Sequence, residues 1–200
     1  MEAMDTTLPP ALTPRFTQAL EIARGAHHGQ LRKGTAIPYL AHPLAVASLA
    51  LTFGADEDEA IAALLHDTAE DGGGAPMLAR IEAAFGDRVA AIVRACSDSL
   101  IEDPQEKAPW RERKEAHLAH LGTAPHSVRL VAAADKLHNL QSLLADLRAH
   151  GNGVWSRFKA GRQDQLWYYG ACVDRLAADP AAPWSRPLRE GYQALSEMHP

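Results

Sequence analysis

The sequence predicts an all-α protein folded as a single domain, and three observations carry that reading. Glycine and proline divide the chain into apolar runs of helical length. No run alternates apolar and polar residues as a half-buried strand does. At 200 residues and 46% hydrophobic composition the chain can fill one core, and no linker is long enough to separate two.

Residues 1–13, acidic and then proline-rich, are expected to form a flexible tail, with the domain spanning 14–200. A first helix is predicted from Pro14 to about Ala26, carrying Phe16, Ala19, Leu20 and Ile22. The polar, basic stretch from Gly29 to Pro38 reads as a loop. Pro43 suits the first turn of a second helix, which carries Leu44, Val46, Ala47 and Leu49 and stops near Gly54. Asp56 or Asp58 can cap a third, Glu57 to about Glu70, ended by Gly72, Gly73 and Gly74. Further helices are expected at Met77–Phe85, Asp87–Ser97 and Trp110–Leu121, with a polar loop from Ser99 to Ala108. The longest runs from Ser127 to Arg148 on a stripe of Val131, Ala134, Leu137, Leu140 and Leu144, closed by Gly151 and Gly153. Two or three more occupy Trp155 to Met198, broken at Pro180, Pro183 and Pro187.

Composition narrows the function. Net charge is −5, so the chain has no bulk attraction for DNA, RNA or an anionic membrane surface. No stretch approaches the ~20 apolar residues of a membrane helix, and the start lacks the basic and apolar pattern of a signal peptide. Two cysteines, Cys96 and Cys172, make no disulfide framework. A cytoplasmic protein is expected. Nothing in the sequence fixes an oligomeric state, and a homo-oligomer is compatible with it.

The chemistry concentrates in three segments. In AALLHDTAED, Ala62 to Asp71, an apolar run gives way within six residues to His66, Asp67, Glu70 and Asp71. On one continuous helix, His66 and Glu70 share a face, as do Asp67 and Asp71. Negative charge at a helix C-terminus opposes the macrodipole, so a purely solvated end would more naturally be basic. In HPLAVASLA, His42 precedes the helix-starting proline, where a lone histidine is ordinarily a first-turn residue. In LVAAADKLHNL, Asp135 lies among apolar residues and needs a cation, a hydrogen-bond set or a metal. Together His42, His66, Asp67 and Asp135 offer two imidazoles and two carboxylates, a set suited to Mn, Fe or Zn, with Mn preferred for its carboxylate share.

These residues resemble the HD metallophosphohydrolase superfamily. Within it the chain is similar to the hydrolase domain of the Rel/Spo alarmone enzymes and to their stand-alone small alarmone hydrolases. The resemblance rests on GQLRK, PYLAHP, HDTAED, FGDRVAAIV, WRERK and ADKLHNL in this order, from Ala26 to Leu140. It implies an HD-type helical bundle that holds one Mn²⁺ through His42, His66, Asp67 and Asp135. Glu70 and Asp71 would act on the water and the leaving group. Arg32 and Lys33 would contact the nucleotide, Asn139 its sugar or base side, and Tyr169 would lie nearby. The implied reaction is hydrolysis of guanosine 3′,5′-bis(diphosphate) and its pentaphosphate relative, releasing 3′-pyrophosphate. Two hundred residues leave no room for a synthetase domain, so degradation alone is expected.

A polyanionic substrate beside a carboxylate-rich site demands local cations. Arg32, Lys33, Arg113 and Lys114 are available, whereas Arg111 and Lys136 are expected at the solvated surface. His27 is expected to support the loop. His28 and His138 are expected to be partly exposed or satisfied in the core, and the four tryptophans to pack. Two other functions compete: an HD phosphohydrolase acting on another nucleotide, such as NADPH, and a non-catalytic nucleotide sensor. A sensor would lack a ligand or the Glu-Asp pair, yet all six residues are present.

Overall fold

The computed structural model describes residues 11–198 apart from 102 and 104. Ten α-helices occur among the described residues: α1 (Pro14–Ala26), α2 (Ala41–Thr52), α3 (Glu57–Leu65), α4 (Thr68–Asp71), α5 (Gly74–Phe85), α6 (Asp87–Cys96), α7 (Trp110–Thr123), α8 (His126–His150), α9 (Gly161–Leu176) and α10 (Ser185–Ser196). A 3-10 helix, Gly151–Arg157, joins α8 to the segment before α9. No strand is found among the described residues; the one sheet-like feature is an antiparallel bridge between Leu31 and Pro38. Most of the expected tail, residues 1–10, lies outside the described residues.

Two helices form the centre. α3 opens on a capping box in which Asp56 accepts from the Glu59 backbone and Glu59 accepts from that of Asp56, each at 2.9 Å. From Ala60 to Leu65 every residue is apolar and buried, so beyond its charged first turn the helix is apolar all round and is enclosed by α1, α2, α6 and α8. Small side chains make this possible. Ala60, Ala62 and Ala63 of α3 and Ala132, Ala133 and Ala134 of α8 are all buried, and their size lets the helix axes approach closely. α8 spans 25 residues, about 37 Å at 1.5 Å per residue, and crosses the whole bundle. α10 and α9 close the far side around Trp184, whose Nε1 donates to the Leu176 carbonyl at 2.9 Å.

The structure corrects several boundaries. The third helix does not continue to Glu70. His66 Nδ1 lies 2.8 Å from the Ala63 carbonyl and Thr68 Oγ1 donates to that of Leu65 at 2.7 Å. Side chains thus take acceptors of the last turn, and α3 stops at Leu65. Of the three glycines, Gly74 begins α5 instead of ending the preceding helix; the reversal falls on Gly73, whose φ of 134° excludes an L side chain. Pro187 does not break the chain either, because it occupies the first turn of α10, where its missing N–H costs nothing. Likewise His42 lies inside the first turn of α2, which starts at Ala41.

Candidate metal and nucleotide site

Three segments bring one polar atom each, or two, to a common point. His42 comes from the first turn of α2, His66 and Asp67 from the junction of α3 and α4, and Asp135 from the middle of α8. The ligand atoms of His42, His66 and Asp67 lie within 4.8 Å of one another. His42 Nε2 is 3.4 Å from Asp67 Oδ2 and 3.1 Å from Asp135 Oδ1. His66 Nε2 is 3.1 Å from Asp67 Oδ2 and 3.7 Å from Asp135 Oδ1.

The surroundings set the chemistry of these atoms. With the His66 Nδ1–H donated to the Ala63 carbonyl, Nε2 is the ring nitrogen left to face the two carboxylates, where a bound cation would take its lone pair in place of a proton. That buried nitrogen makes no hydrogen bond to protein. His42 Nδ1 is 2.7 Å from His138 Nδ1. His138 is pushed down to about 4 by burial and then by His42 and Arg32, so it is neutral and able to accept, which again turns the His42 lone pair on Nε2 inward. Burial works against charge at Asp67, yet His66 and His42 hold its carboxyl well below the usual range. Burial also opposes charge at Asp135, which Lys136 and the two histidines hold down. The carboxylates in turn raise His66 against its burial. The shifts at Asp67, Asp135 and His66 favour positive charge at the shared point. An orphaned buried nitrogen within a two-imidazole, two-carboxylate set fits a divalent transition ion.

Further groups hold the ligands in place. Tyr39 OH donates to Asp67 Oδ2 at 2.6 Å. Lys136 Nζ donates to Asp135 Oδ2 and Asn139 Nδ2 to Asp135 Oδ1, both at 2.6 Å. The expectation for Lys136 is therefore corrected: its side chain is 12% exposed and lies beside the site, because a buried carboxylate needs a cation close by. Arg111 does lie at the surface, with its guanidinium over the Trp167 ring.

Glu70 and Asp71 do not lie with their expected partners on one continuous helical face, since α3 has ended. Glu70 Oε2 accepts from the Asp98 backbone N–H at 2.8 Å, and burial, then the Asp98 charge, raise its pKa. Asp71 Oδ2 accepts from Gln30 Nε2 at 2.9 Å, and burial, then Asp67, raise its pKa. Gln30 Oε1 in turn meets His27 Nδ1 at 2.7 Å, so His27 supports the loop. Behind Glu70, the Asp98 carboxylate binds Arg113 at 3.1 Å and Lys114.

A pocket of about 430 Å³ opens beside His42, within the size range of small-molecule sites. Arg32, Lys33, Asn139 and Tyr169 all line it. A hairpin-like loop presents the first two: Arg32 N donates to the Ile37 carbonyl and Tyr39 N to that of Gln30, each at 2.8 Å. Arg32 Nη2 also reaches Asn139 Oδ1 at 3.3 Å. Glu70 and Asp71 are not among the residues that line this pocket. Sequence reasoning missed Tyr39, His138, Ser142, Asp146, Arg157 and Phe158. The spacing of Ser142 and Asp146 from Asn139, three and seven residues along α8, was the available signal for those two.

Comparison with known proteins adds to this picture. The HD domain family matches residues 19–166. A guanosine-3′,5′-bis(diphosphate) 3′-pyrophosphohydrolase MESH1 of Danio rerio is 34% identical over 136 residues, 66% of this chain and 70% of the relative. The MESH1 of Xenopus tropicalis is 36% identical over 63% of this chain and 68% of its own length. The bifunctional (p)ppGpp synthase/hydrolase SpoT of Escherichia coli K12 is 33% identical over 71% of this chain, and the chain spans about 20% of its length. Among solved structures, a metazoan ortholog of SpoT that hydrolyses ppGpp superimposes with a TM-score of 0.73 at 27% identity, covering 90% of this chain and 95% of the other.

Proposed function

Because the chain belongs to the HD domain family, we propose that it hydrolyses guanosine 3′,5′-bis(diphosphate) and the corresponding pentaphosphate, releasing 3′-pyrophosphate to leave GDP or GTP. One observation carries the reading. The His42–His66–Asp67–Asp135 cluster meets the end of a pocket lined by Arg32, Lys33, Asn139 and Tyr169. A nucleotide with a terminal 3′-diphosphate matches that arrangement: anion toward the cluster, sugar and base along the pocket. The two MESH1 relatives named for this reaction support it.

His42, His66, Asp67 and Asp135 would hold the ion, and Mn²⁺ is the ion we propose from the equal share of carboxylate and imidazole. A bound divalent ion supplies Lewis-acid polarisation of the phosphoryl oxygens and acidifies water. The chain's own residues do the rest. Arg32 and Lys33 neutralise and orient the phosphates, with the arginine fork able to bind two oxygens at once. Asn139, tethered to Asp135 and Arg32, fixes the sugar relative to the cluster. Tyr169, 8% exposed, forms part of the pocket wall. Glu70 and Asp71, both less acidic than ordinary carboxyls, supply the two proton-transfer groups, one accepting from the attacking water and one donating to the ribose 3′-oxygen as its bond to phosphorus breaks.

The test is direct. Manganese-loaded protein is incubated with the tetraphosphate and with NADPH, and products are resolved by anion exchange. GDP plus pyrophosphate is expected. Intact tetraphosphate alongside dephosphorylated NADPH would overturn the proposal. Glu70→Gln is expected to keep metal binding and abolish turnover; full activity would remove Glu70 from the mechanism.

A further inference from the structure

The pocket has a second polar centre at the end away from the ligand cluster. Asp146 and Arg157 form an ion pair there, Nη1 to Oδ2, at 2.6 Å. Their side chains are 32% and 19% exposed, and both line the pocket with Ile37, Leu143 and Phe158. Lys33 Nζ lies 5.6 Å from the centre of the Phe158 ring. This end therefore combines an aromatic ring, aliphatic surface, and an acceptor beside a donor, the elements needed to hold a flat heterocycle.

Spacing along α8 tells which part of a nucleotide reaches this pair. Asp135, Asn139, Ser142 and Asp146 recur at helical intervals and mark one face of α8. Asp146 is 11 residues beyond Asp135, about 16 Å along the axis. With the 3′-diphosphate toward Asp135 and the sugar at Asn139, the base falls between Ser142 and Asp146. The loop closes on the same place. Gly34, at φ +71°, lies so near Arg157 that an added Cβ would come 2.6 Å from its side chain. Only glycine lets Arg32 and Lys33 pass over Arg157.

We propose that Asp146, oriented by Arg157, selects guanine over adenine. A carboxylate accepts two donors side by side, and the guanine edge presents N1–H and the N2 amino group. Adenine presents an unprotonated N1 at the same place, a lone pair facing a carboxylate oxygen. Arg157 remains free to donate to guanine O6. The assignment rests on the proposed reaction for the placement of the base, but its readout is binding and does not need turnover.

Calorimetric titration of the full-length protein with GDP, ADP and XDP tests it. Wild type is expected to bind GDP about tenfold to a hundredfold more tightly than ADP, as for a charge-assisted hydrogen bond. Asp146→Asn turns one acceptor into a donor. It should weaken GDP and strengthen XDP, whose base carries a carbonyl in place of the amino group, a gain that misfolding cannot imitate. Equal binding of GDP and ADP by wild type, or an unchanged order of preference in Asp146→Asn, overturns the assignment. Hydrolysis of the guanosine tetraphosphate is measured in parallel. GDP preference without hydrolysis supports the base assignment while removing the proposed reaction; hydrolysis without base preference does the reverse.

Discussion

Lowering the pH from 7 to 5 should destabilise the fold through a single histidine, His117 on α7. Its imidazole is buried, with 7% of the residue exposed; Nε2 makes no hydrogen bond, and Nδ1 lies 3.9 Å from Asp98 Oδ1. Burial, then the Lys136 ammonium, push its pKa down to about 4, with Asp98 pulling the other way. In the unfolded chain the value is about 6.5. The unfolded state therefore takes up the proton first. The stability that depends on neutral His117 is intact above about 6.5 and is lost as the pH falls toward the folded value. Each pH unit within that window is worth about 1.4 kcal/mol, so the step from 6.5 to 5 removes about 2 kcal/mol. For a chain of this size that corresponds to a fall in Tm of roughly 4–8 °C. The assay is thermal unfolding of wild type and His117→Leu in one buffer series from pH 7 to 5. Other titrating groups, His138 among them, act on both proteins and cancel in the difference. Leucine keeps the volume and helix propensity and removes the titration, so the variant should lose about 2 kcal/mol less than wild type on acidification. Parallel curves across the range would refute the reasoning.

Three other outcomes are expected. Tyr39→Phe removes the donor to Asp67 Oδ2 while keeping the ring against His27 and His42; Mn²⁺ affinity, read by competition with a chelating dye, should fall about 10- to 100-fold, and unchanged affinity would show the hydroxyl to be idle. Asp98→Asn strands Arg113 and Lys114, whose side chains are only 20% and 17% exposed. The loss should be about 3 kcal/mol, at the low end for a broken buried pair, with kcat reduced through Glu70 and KM little changed; a wild-type Tm would count against it. Chelation should lower Tm, since an ion at a hundred times its Kd stabilises by about 2.7 kcal/mol. A melting curve indifferent to chelator and to added Mn²⁺ would remove the ion from the site.

The legible parts of the site are those whose residue type is anomalous in its local pattern. Asp135 in an apolar stripe and the carboxylates after AALL announce themselves because burying or crowding such groups is costly. Arg32 and Lys33 are legible through their motif. Residues whose role comes from tertiary convergence give no such sign. Tyr39, His138 and Lys136 have ordinary neighbours in sequence and acquire meaning only when α2, the α3–α4 junction and α8 meet. Lys136 in particular reads as a surface charge, whereas the structure pairs it with Asp135. The fold shows the same division. Helix existence follows from apolar periodicity, but the end of α3 at Leu65 depends on His66 and Thr68 bonding backward to backbone carbonyls. That competition between side chain and ladder is invisible to a count of apolar residues.

A net charge of −5 is compatible with a polyanionic substrate because the two signs of charge are separated in space. Asp56, Asp58 and Glu59, at the start of α3, are engaged with Arg88, and Glu57 and Asp58 with Arg15. Those acids sit at the opposite end of α3 from His66, so their field at the cluster is attenuated by distance and by the arginines. At the site, Asp67 and Asp135 face imidazoles and Lys136, and would share their charge with a cation. Arg32, Lys33 and Arg157 stand along the pocket, where the one carboxylate in the lining, Asp146, is paired with Arg157. Moving the α3 carboxylates to the pocket rim would leave composition and net charge unchanged and oppose the phosphates directly.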